Sequence, residues 1–448
     1  MKSKLFLLLL IVSYTTFAQT NPAILTWLQN TNNTTGRYYL TGNPTPINTT
    51  TNANVQLVQY STNFVYVKAT GVPTFVTGPF ATGPVSTALN NNYVLKIPLN
   101  PVVATTKTAV GNGAIAAFIN GTVAYRPGDG MSYNNSDKWH SNAVYFENKG
   151  FDCAHGHPGP MTSDYHHHQN PSAFNIETVP TSSICNIYLA DGLYIPNATT
   201  HGPLIGFAPD GFPIYGAYGY TNPLDASTPI KRITSSYRLR NITARTTLPD
   251  GTSAVGPTLT QMIQIAGTTG TSNQLQAVLG AYLEDFEYVP GLGDLDENNG
   301  RFCKTPEYPN GIYCYFATVD ATNKPVYPYL LGKYYQGVVL GTTHATISET
   351  VTTYTPALYS ANNNLDQIGL SLFPNPSSDI AVIQSYSPVV SDLKIELFDS
   401  NGKLILEDTL KQGSTMCYLN LETVYAGMYF VKISDGKNSI TKKVIVLH

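Results

Sequence analysis

The sequence predicts a mainly β protein, with a large β-rich domain that includes a few short helices, followed by a small immunoglobulin-like β-sandwich. Three observations lead to this fold class. Tyr accounts for 31 of the 448 residues, and aromatic and β-branched side chains favour strands. The chain has 36 Gly and 30 Pro, which are typical of turns. Near the C-terminus, short runs of alternating apolar and polar residues lie between turn signals.

The charge content narrows the range of functions. Lys and Arg number 25 and Asp and Glu number 28, which gives 12% charged residues and a net charge of −3. The sequence has no basic stripe, so we do not expect a nucleic acid as partner. Disorder is not expected either, because 42% of the residues are hydrophobic and can bury a large core.

The first residues predict export. A short basic start precedes an apolar run from Leu5 to Val12, and small and polar residues follow up to Ala18. This order is typical of a secretory signal peptide over residues 1–18. A membrane span takes about 20 apolar residues, so no integral span is expected in the mature chain. Residues 19–54 are predicted to be a Thr/Asn-rich lead-in.

The middle of the chain is predicted to be one β-rich domain over residues 55–345, followed by a linker over residues 346–369. Short helices are expected at 261–266 and 273–286. Within the second of these, Ala277, Leu279, Ala281 and Leu283 alternate with other residues as they do in a strand.

The C-terminal segment, residues 370–448, has the pattern of a small β-sandwich. Four runs predict strands, at 393–397, 403–407, 428–433 and 439–447. Ser400-Asn401-Gly402 predicts the turn between the first two runs, because Asn-Gly tolerates positive φ.

The chemistry of the chain is concentrated in a histidine cluster. Seven of the nine His fall between residues 140 and 201. Some are two residues apart, and such pairs point to the same face of a strand. Clustered imidazoles are ligands that Cu and Zn prefer. The predicted ligands of a Cu or Zn ion are His157, His166 and His168 together with His201, with His155 in reserve.

The remaining members of the cluster are expected to have other roles. His167 would lie on the opposite face of the strand from His166 and His168. We expect His140 and His167 to support the ligands or to be structural. A surface loop, or a network of hydrogen-bonded imidazoles without metal, is the alternative interpretation of the whole cluster.

The C-terminal segment resembles the C-terminal sorting domain of type IX secretion, found in Bacteroidetes. The resemblance rests on four motifs: Phe373-Pro374-Asn375-Pro376, Asp399-Ser400-Asn401-Gly402-Lys403, Ala426-Gly427-Met428-Tyr429 and Lys443-Val444-Ile445. It implies that the type IX secretion machinery carries the chain across the outer membrane and that its sorting protease then removes the domain. The protein would be secreted or attached to the cell surface.

Residues 55–345 resemble the YHYH-domain proteins, named for a Tyr-His-Tyr-His signature. Tyr165-His166-His167-His168 takes the position of the signature, with His167 in place of its second Tyr. Other motifs match in order: Gly156-His157-Pro158, Asp210-Gly211-Phe212-Pro213-Ile214-Tyr215-Gly216, Asn299-Gly300-Arg301 and Thr305-Pro306-Glu307. The family carries no established activity, so the resemblance implies a domain rather than a function.

An acidic loop offers a second, weaker metal pattern. Asp294, Asp296 and Asn298 are spaced like the oxygen ligands of a calcium loop. However, Asn299 stands where the Gly of an EF-hand belongs, and Thr305 stands where its Glu belongs. An acidic loop in which Arg301 pairs internally is the preferred interpretation, and calcium near Asp294 and Asp296 is the alternative.

Export permits disulfides among the five cysteines. Cys303 and Cys314 flank a turn, and we expect a bridge between them. Cys153–Cys185 is the second expected bridge, although Cys153 could instead be a thiolate ligand. Cys417 is expected to be a buried apolar residue.

Three functions are compatible with these features. The first is an exported protein that binds Cu or Zn through its clustered His, with a metal-dependent enzyme as its extension. The second is a surface module that binds a polysaccharide or a partner protein, motivated by the closely spaced Tyr215, Tyr218 and Tyr220. The third is a structural protein with a His hydrogen-bond network. Whether the chain is an enzyme stays open.

Overall fold

The computed structural model describes residues 21–31, 33–80, 87–159, 163–171, 198–355, 370–373, 375–385, 389, 391–436 and 438–447. The predicted signal peptide lies outside these residues, as does most of the predicted linker. Strands dominate throughout, and the two α-helices have four residues each. The predicted mainly β fold is therefore confirmed.

The N-terminal part contains one helical turn and six strands. They are α1 (Pro22–Leu25), β1 (Thr35–Leu40), β2 (Asn43–Asn52), β3 (Val55–Tyr60), β4 (Phe64–Ala69), β5 (Val76–Thr77) and β6 (Tyr93–Pro98). β2, β1 and β5 form a three-stranded sheet. Trp27, just after α1, packs into the same apolar cluster as Val55 and Val65, so part of the predicted lead-in is folded against the following strands.

The central part contributes the strands that carry the site. They are β7 (Ala114–Phe118), β8 (Val123–Tyr125), β9 (Gly128–Ser132), β10 (His140–Asn142), β11 (Gly156–Pro158), β12 (Tyr165–His167), β13 (Leu204–Phe207), β14 (Pro213–Tyr215), β15 (Tyr218–Tyr220), β16 (Ile230–Arg232), β17 (Tyr237–Leu239), β18 (Met262–Gln264), β19 (Gln274–Gln276), β20 (Phe286–Tyr288), β21 (Gly300–Cys303), β22 (Ile312–Phe316) and β23 (Thr352–Tyr354). A helical turn, α2 (Ala143–Phe146), and 3₁₀ turns at Tyr133–Asn135, Asn148–Gly150, Thr271–Asn273 and Leu283–Asp285 lie between them.

An eight-stranded sheet organises this part, in the order β11-β12-β8-β7-β13-β14-β22-β21. Both faces of its central strands are buried. Ile214 and Tyr315 belong to the apolar cluster on one face, whereas their neighbours Tyr215 and Phe316 belong to the cluster on the other. Because successive strand residues point to opposite faces, near-continuous apolar runs are what a sheet covered on both sides requires. A second sheet, β23-β3-β4-β6, has four strands.

The two predicted helices at 261–266 and 273–286 are wrong. β18 and β19 pair as an antiparallel hairpin instead, and Gly267 and Gly270 between them have φ of 70° and 85°. Arg245 also hydrogen-bonds to backbone carbonyls that a helix would use for its own hydrogen bonds. Its Nη1 donates to Ala277 O at 2.9 Å and its Nη2 donates to Val278 O at 2.8 Å. Tertiary contacts thus override a weak local preference.

The C-terminal segment is a two-sheet β-structure, as predicted. Its strands are β24 (Ser371–Phe373), β25 (Ile380–Gln384), β26 (Leu393–Phe398), β27 (Leu404–Leu410), β28 (Met416–Asn420), β29 (Gly427–Ser434) and β30 (Ser439–Val446). The sheets run β24-β25-β28 and β27-β26-β29-β30. Gly402 has a φ of 80° in the predicted turn. Leu393, Ile395 and Leu397 alternate into the core beside the buried Cys417.

The predicted Cys303–Cys314 bridge is wrong. Both cysteines are buried and free, as is Cys417. In the β21–β22 ladder Cys303 faces Ile312, and Cys314 faces Arg301, so the two cysteines are diagonal neighbours. Diagonal pairs lie about 7–8 Å apart, whereas a disulfide joins Cα atoms about 5.5–6 Å apart. Cys153–Cys185 stays a prediction, since Cys185 lies outside the described residues.

Candidate metal centre

A short hairpin positions the three histidines of the site. β11 and β12 pair antiparallel, with His157 directly opposite His166. The two imidazole rings are 4.5 Å apart between centroids. His168 follows β12 on the same face as His166, with ring centroids 5.0 Å apart. The predicted convergence of His157, His166 and His168 is therefore what the strands produce.

A buried carboxylate shapes the loop before β11. Asp152 accepts hydrogen bonds from the amides of Ala154 and Gly156, at 2.9 and 3.1 Å, and from the Tyr165 hydroxyl at 2.8 Å. Burial raises the pKa of Asp152 to about 7, against the opposing effect of these hydrogen bonds. A side chain at Gly156 would place its Cβ 2.4 Å from the Tyr165 ring. The loop therefore requires Gly where it enters the hairpin.

Glu147 is the fourth member of the cluster, and the sequence reasoning missed it. It ends α2, whose first turn is capped by the Asn142 side chain. Its Oε2 lies 3.0 Å from His157 Nε2 and 3.2 Å from His168 Nε2. The only available signal was composition, because Glu147, Asp152 and Asp164 are the only acidic residues between His140 and His168. Nothing in the spacing distinguishes Glu147 from the other two.

Backbone carbonyls orient two of the imidazoles. His166 Nδ1 lies 2.9 Å from Asp164 O, and His168 Nδ1 lies 2.7 Å from Arg126 O. A carbonyl only accepts, so Nδ1 carries the proton in both rings. In neutral His166 the Nε2 atom keeps its lone pair, whereas His168 Nε2 faces the Glu147 carboxylate at 3.2 Å. This second contact of the ring is typical of histidines that bind metals. The Tyr125 ring also stacks on His166, with centroids 4.2 Å apart.

The charges of the cluster suit a cation. Burial lowers the pKa of His166 well below its usual value, and His157 and His168 lower it further. Burial alone would raise the pKa of Glu147, but His168 and His157 beside it hold that pKa well below its usual value. At neutral pH the site therefore offers a neutral His166 and an ionised carboxylate, and a metal would take the place of the protons through which His157 and His168 contact Glu147.

The donor set and its size fit a transition-metal ion. One ligand atom each from Glu147, His157, His166 and His168 lie within 4.8 Å of one another. Bonds of about 2.1 Å around a tetrahedral ion place ligand atoms about 3.4 Å apart, so modest side-chain movement closes the shell. His157 Nε2 and Glu147 Oε2 are both buried and lie 3.0 Å apart, a hydrogen-bond distance when the imidazole carries the proton. Three nitrogens and one oxygen suit Zn or Cu.

The structure does not bring His155 and His201 into this cluster. His155 Nδ1 lies 3.1 Å from Asn170 O, and its backbone has a φ of 62°. His201 precedes β13, which is three strands from β12 in the sheet, or about 14 Å at ordinary strand spacing. Its ring lies between Tyr215 and Tyr220.

His140 and His167 lie outside the cluster. His140 Nδ1 is 2.6 Å from Glu284 Oε1, and its Nε2 is 3.1 Å from Asp137 Oδ1. His167 is fully buried, and its ring packs edge-on against Phe118, with centroids 5.4 Å apart. Both placements are those of structural side chains.

The two acidic residues proposed for calcium have other partners. Asp294 binds Lys231 Nζ at 2.5 Å and accepts from the Thr234 amide at 2.9 Å. Asp296 accepts from the Tyr313 hydroxyl at 2.9 Å and from the amide of Asn298 at 2.9 Å. Arg301 donates to the Tyr220 carbonyl instead of to an acid of this loop. The acids of the loop are thus hydrogen-bonded within the chain, but the internal pairing expected of Arg301 is wrong. Calcium near Asp294 and Asp296 stays a prediction.

The described residues contain no helix long and apolar enough to cross a membrane.

Comparison with known proteins adds two family matches. The model described as YHYH protein matches residues 94–327, more than half of the 448 residues. The model described as secretion system C-terminal sorting domain matches residues 371–447.

Several solved chains are similar to parts of this chain, and one of them illustrates the likeness. It is a DUF3244 family protein with an immunoglobulin-like β-sandwich fold from Bacteroides vulgatus. The two chains share 16% sequence identity with a TM-score of 0.16, over 19% of this chain and 89% of the other. No curated protein matches this chain.

Proposed function

The chain belongs to the YHYH protein family and is exported by type IX secretion, and we propose that it binds one transition-metal ion, Cu or Zn, outside the cell. The ligands are His157, His166, His168 and Glu147. The observation that carries the proposal is the convergence of four donor atoms within 4.8 Å of one another. Buried donors in such a group are rarely left together without an ion or a hydrogen bond between them.

The hydrogen bonds and the exposure of the four proposed ligands support a role for each of them. The Asp164 and Arg126 carbonyls fix the rings of His166 and His168. Glu147 and His157 form the accessible side, with 23% and 14% of their side chains exposed, whereas His168 has only 3% exposed. With four protein ligands, Zn would supply an activated water only by adding a fifth position, and Cu would supply redox chemistry. Any substrate would approach across Glu147 and His157.

A purely structural ion is the second interpretation of the same cluster. Ligands from β11, from β12 and from the end of α2 would then be joined by the metal, which stabilises the folded chain over the unfolded one. Both interpretations include the same bound ion. They differ in whether the ion takes part in catalysis or ligand binding, or only stabilises the fold. Chelation that lowers the melting temperature while leaving any catalysis or ligand binding unchanged favours the structural ion.

The experiment is metal analysis of matched variants. The wild-type protein is expected to contain about one Cu or Zn per chain. A double variant, His166→Ala with His168→Ala, removes two ligands and should contain far less metal. His140→Ala is the matched control, because His140 contacts an acid at 2.6 Å but lies outside the cluster.

The results separate the proposal from its alternative. Full metal content in His140→Ala together with loss in the double variant supports the site. Less than one ion per wild-type chain after incubation with Cu and Zn contradicts it, and so does unchanged metal content in the double variant. A hydrogen-bond network without metal then accounts for the cluster.

A further inference from the structure

A second group of polar side chains lies far along the sheet from the proposed metal site. His201 precedes β13, Tyr215 ends β14, Tyr220 ends β15 and Arg301 lies on β21. Four strand spacings separate β12 from β14, or about 19 Å. Tyr215 and Arg301 belong to motifs that the metal site leaves unexplained. We call all four residues, together with Phe316, the His201 pocket.

Shared aromatic neighbours hold the pocket together. The His201 ring lies 5.2 Å from Tyr215, 5.0 Å from Tyr220 and 6.5 Å from Phe316, between centroids. The Arg301 guanidinium lies 5.4 Å from the centre of the Phe316 ring. Its Nη2 donates to the Tyr220 carbonyl at 2.9 Å. His201 and Arg301 therefore contact the same two aromatic residues.

Two polar atoms of the pocket are buried without a partner, His201 Nε2 and Arg301 Nε. His201 Nδ1 lies 2.7 Å from the Gly202 carbonyl, so Nδ1 carries the proton and Nε2 is an acceptor. Arg301 Nε–H is a donor. The pocket thus presents an unused acceptor on His201 and the positively charged guanidinium of Arg301. Buried polar atoms of this kind call for a ligand or a water.

The residues of the pocket also define its accessible side. His201, Tyr220 and Arg301 are half-buried, whereas Tyr215 and Phe316 are buried. The hydroxyl of the buried Tyr215 donates to Glu307 Oε2 at 2.8 Å, so this hydroxyl already has a partner within the protein. A ligand would therefore approach along Tyr220 and meet His201 and Arg301.

We propose that the His201 pocket binds an acidic sugar, a uronate. Its carboxylate would bind Arg301, a ring hydroxyl would donate to His201 Nε2, and the sugar face would lie against Tyr220. The planar guanidinium favours a carboxylate, and its charge disfavours a metal cation. An aromatic surface beside polar groups suits an amphipathic ring. This site is independent of the proposed metal centre.

Galacturonate and galactose form the matched ligand pair for the test, because they differ only in the carboxylate. Binding to the full secreted protein is measured by calorimetry, with and without a chelator. The wild type should bind galacturonate at least tenfold more tightly than galactose, and the chelator should change nothing. Tighter binding of tri-galacturonate than of the monosaccharide identifies a polysaccharide as the source, and equal binding identifies a free sugar acid.

Variants test the residues. Arg301→Gln should weaken galacturonate binding at least tenfold and remove the preference over galactose. His201→Gln should weaken binding but keep the preference. Arg238→Gln is the control, because Arg238 is exposed and pairs with Glu287 elsewhere. A melting curve for each variant confirms folding, and His201→Gln serves if Arg301→Gln does not fold.

Several results overturn the proposal. They are no galacturonate binding to the wild type, equal binding of galactose, and unchanged affinity in both pocket variants. Binding that disappears with the chelator assigns the sugar to the metal ion and overturns the proposal as well. Loss of metal in the variant with His166→Ala and His168→Ala, with unchanged uronate binding, would support a uronate site that does not depend on the metal ion.

Discussion

Glu147 gives the sharpest test of the proposed metal centre, because it entered the site from the structure and not from the sequence. In Glu147→Gln the side chain keeps its size and loses its charge. In the wild type, Glu147 Oε2 lies 3.0 Å from His157 Nε2 and 3.2 Å from His168 Nε2. The substitution therefore removes the one anionic ligand of the proposed site and leaves the three imidazoles in place.

The size of the effect follows from the number of ligands. Four-ligand zinc sites are worth roughly 10–16 kcal/mol in total, so one ligand contributes about 3 kcal/mol. Since about 1.4 kcal/mol is a factor of ten, Glu147→Gln should raise the Kd at least about a hundredfold. The loss of an anion beside a divalent cation adds to this effect.

The assay is competition with a chromophoric chelator, using Zn²⁺ and Cu²⁺ in turn. Glu284→Gln is the matched control, because Glu284 Oε1 lies 2.6 Å from His140 Nδ1 in an equivalent Glu–His contact outside the cluster. Its metal affinity should equal that of the wild type. Equal affinity in Glu147→Gln and the wild type, or an equal loss in the control, would refute the assignment of Glu147 as a ligand.

Three further predictions concern the rest of the chain. Asp285→Asn leaves the fully buried Arg245 guanidinium without its carboxylate, which should lower the free energy of unfolding by about 3–5 kcal/mol in a denaturant titration; a loss under 1 kcal/mol contradicts it. Cys303 and Cys314 should both react with an alkylating agent in denatured, unreduced protein, because both are free; blocked thiols in a mass spectrum contradict this. Burial lowers the pKa of His201 to about 4, below its unfolded value of about 6.5, so the unfolded state takes up the proton first as the pH falls. The wild type should therefore lose about 3 kcal/mol more stability than His201→Gln between pH 6.5 and 4, and parallel pH profiles would count against it.

The sequence predicted the features that depend on local pattern. Alternation at Leu393, Ile395 and Leu397 predicted β26, and Asn401-Gly402 predicted the turn after it. The two-residue spacing of His166 and His168 predicted that they share a face, because strand geometry alone sets that direction.

What the sequence could not supply depends on long-range contacts. Glu147 reaches the site through the position of α2, which no spacing rule encodes. His201 looked like a ligand by composition, yet the strand order of the large sheet places it about 14 Å from β12. Cys303 and Cys314 flank a turn, but the ladder register makes them diagonal neighbours. Pairing register and strand order, which the sequence pattern leaves open, decide all three.

X-ray absorption spectroscopy of the protein, secreted by its native route and loaded with Cu or Zn, would identify the ligand atoms of the proposed metal centre. We expect one ion per chain, bound at about 2.0–2.1 Å by nitrogen and oxygen alone, with outer-shell scattering from three imidazoles. The variant with His166→Ala and His168→Ala should bind far less metal, and any ion that it keeps should show scattering from one imidazole. A sulfur scatterer at about 2.3 Å, or an ion whose imidazole count is unchanged in that variant, would contradict this expectation.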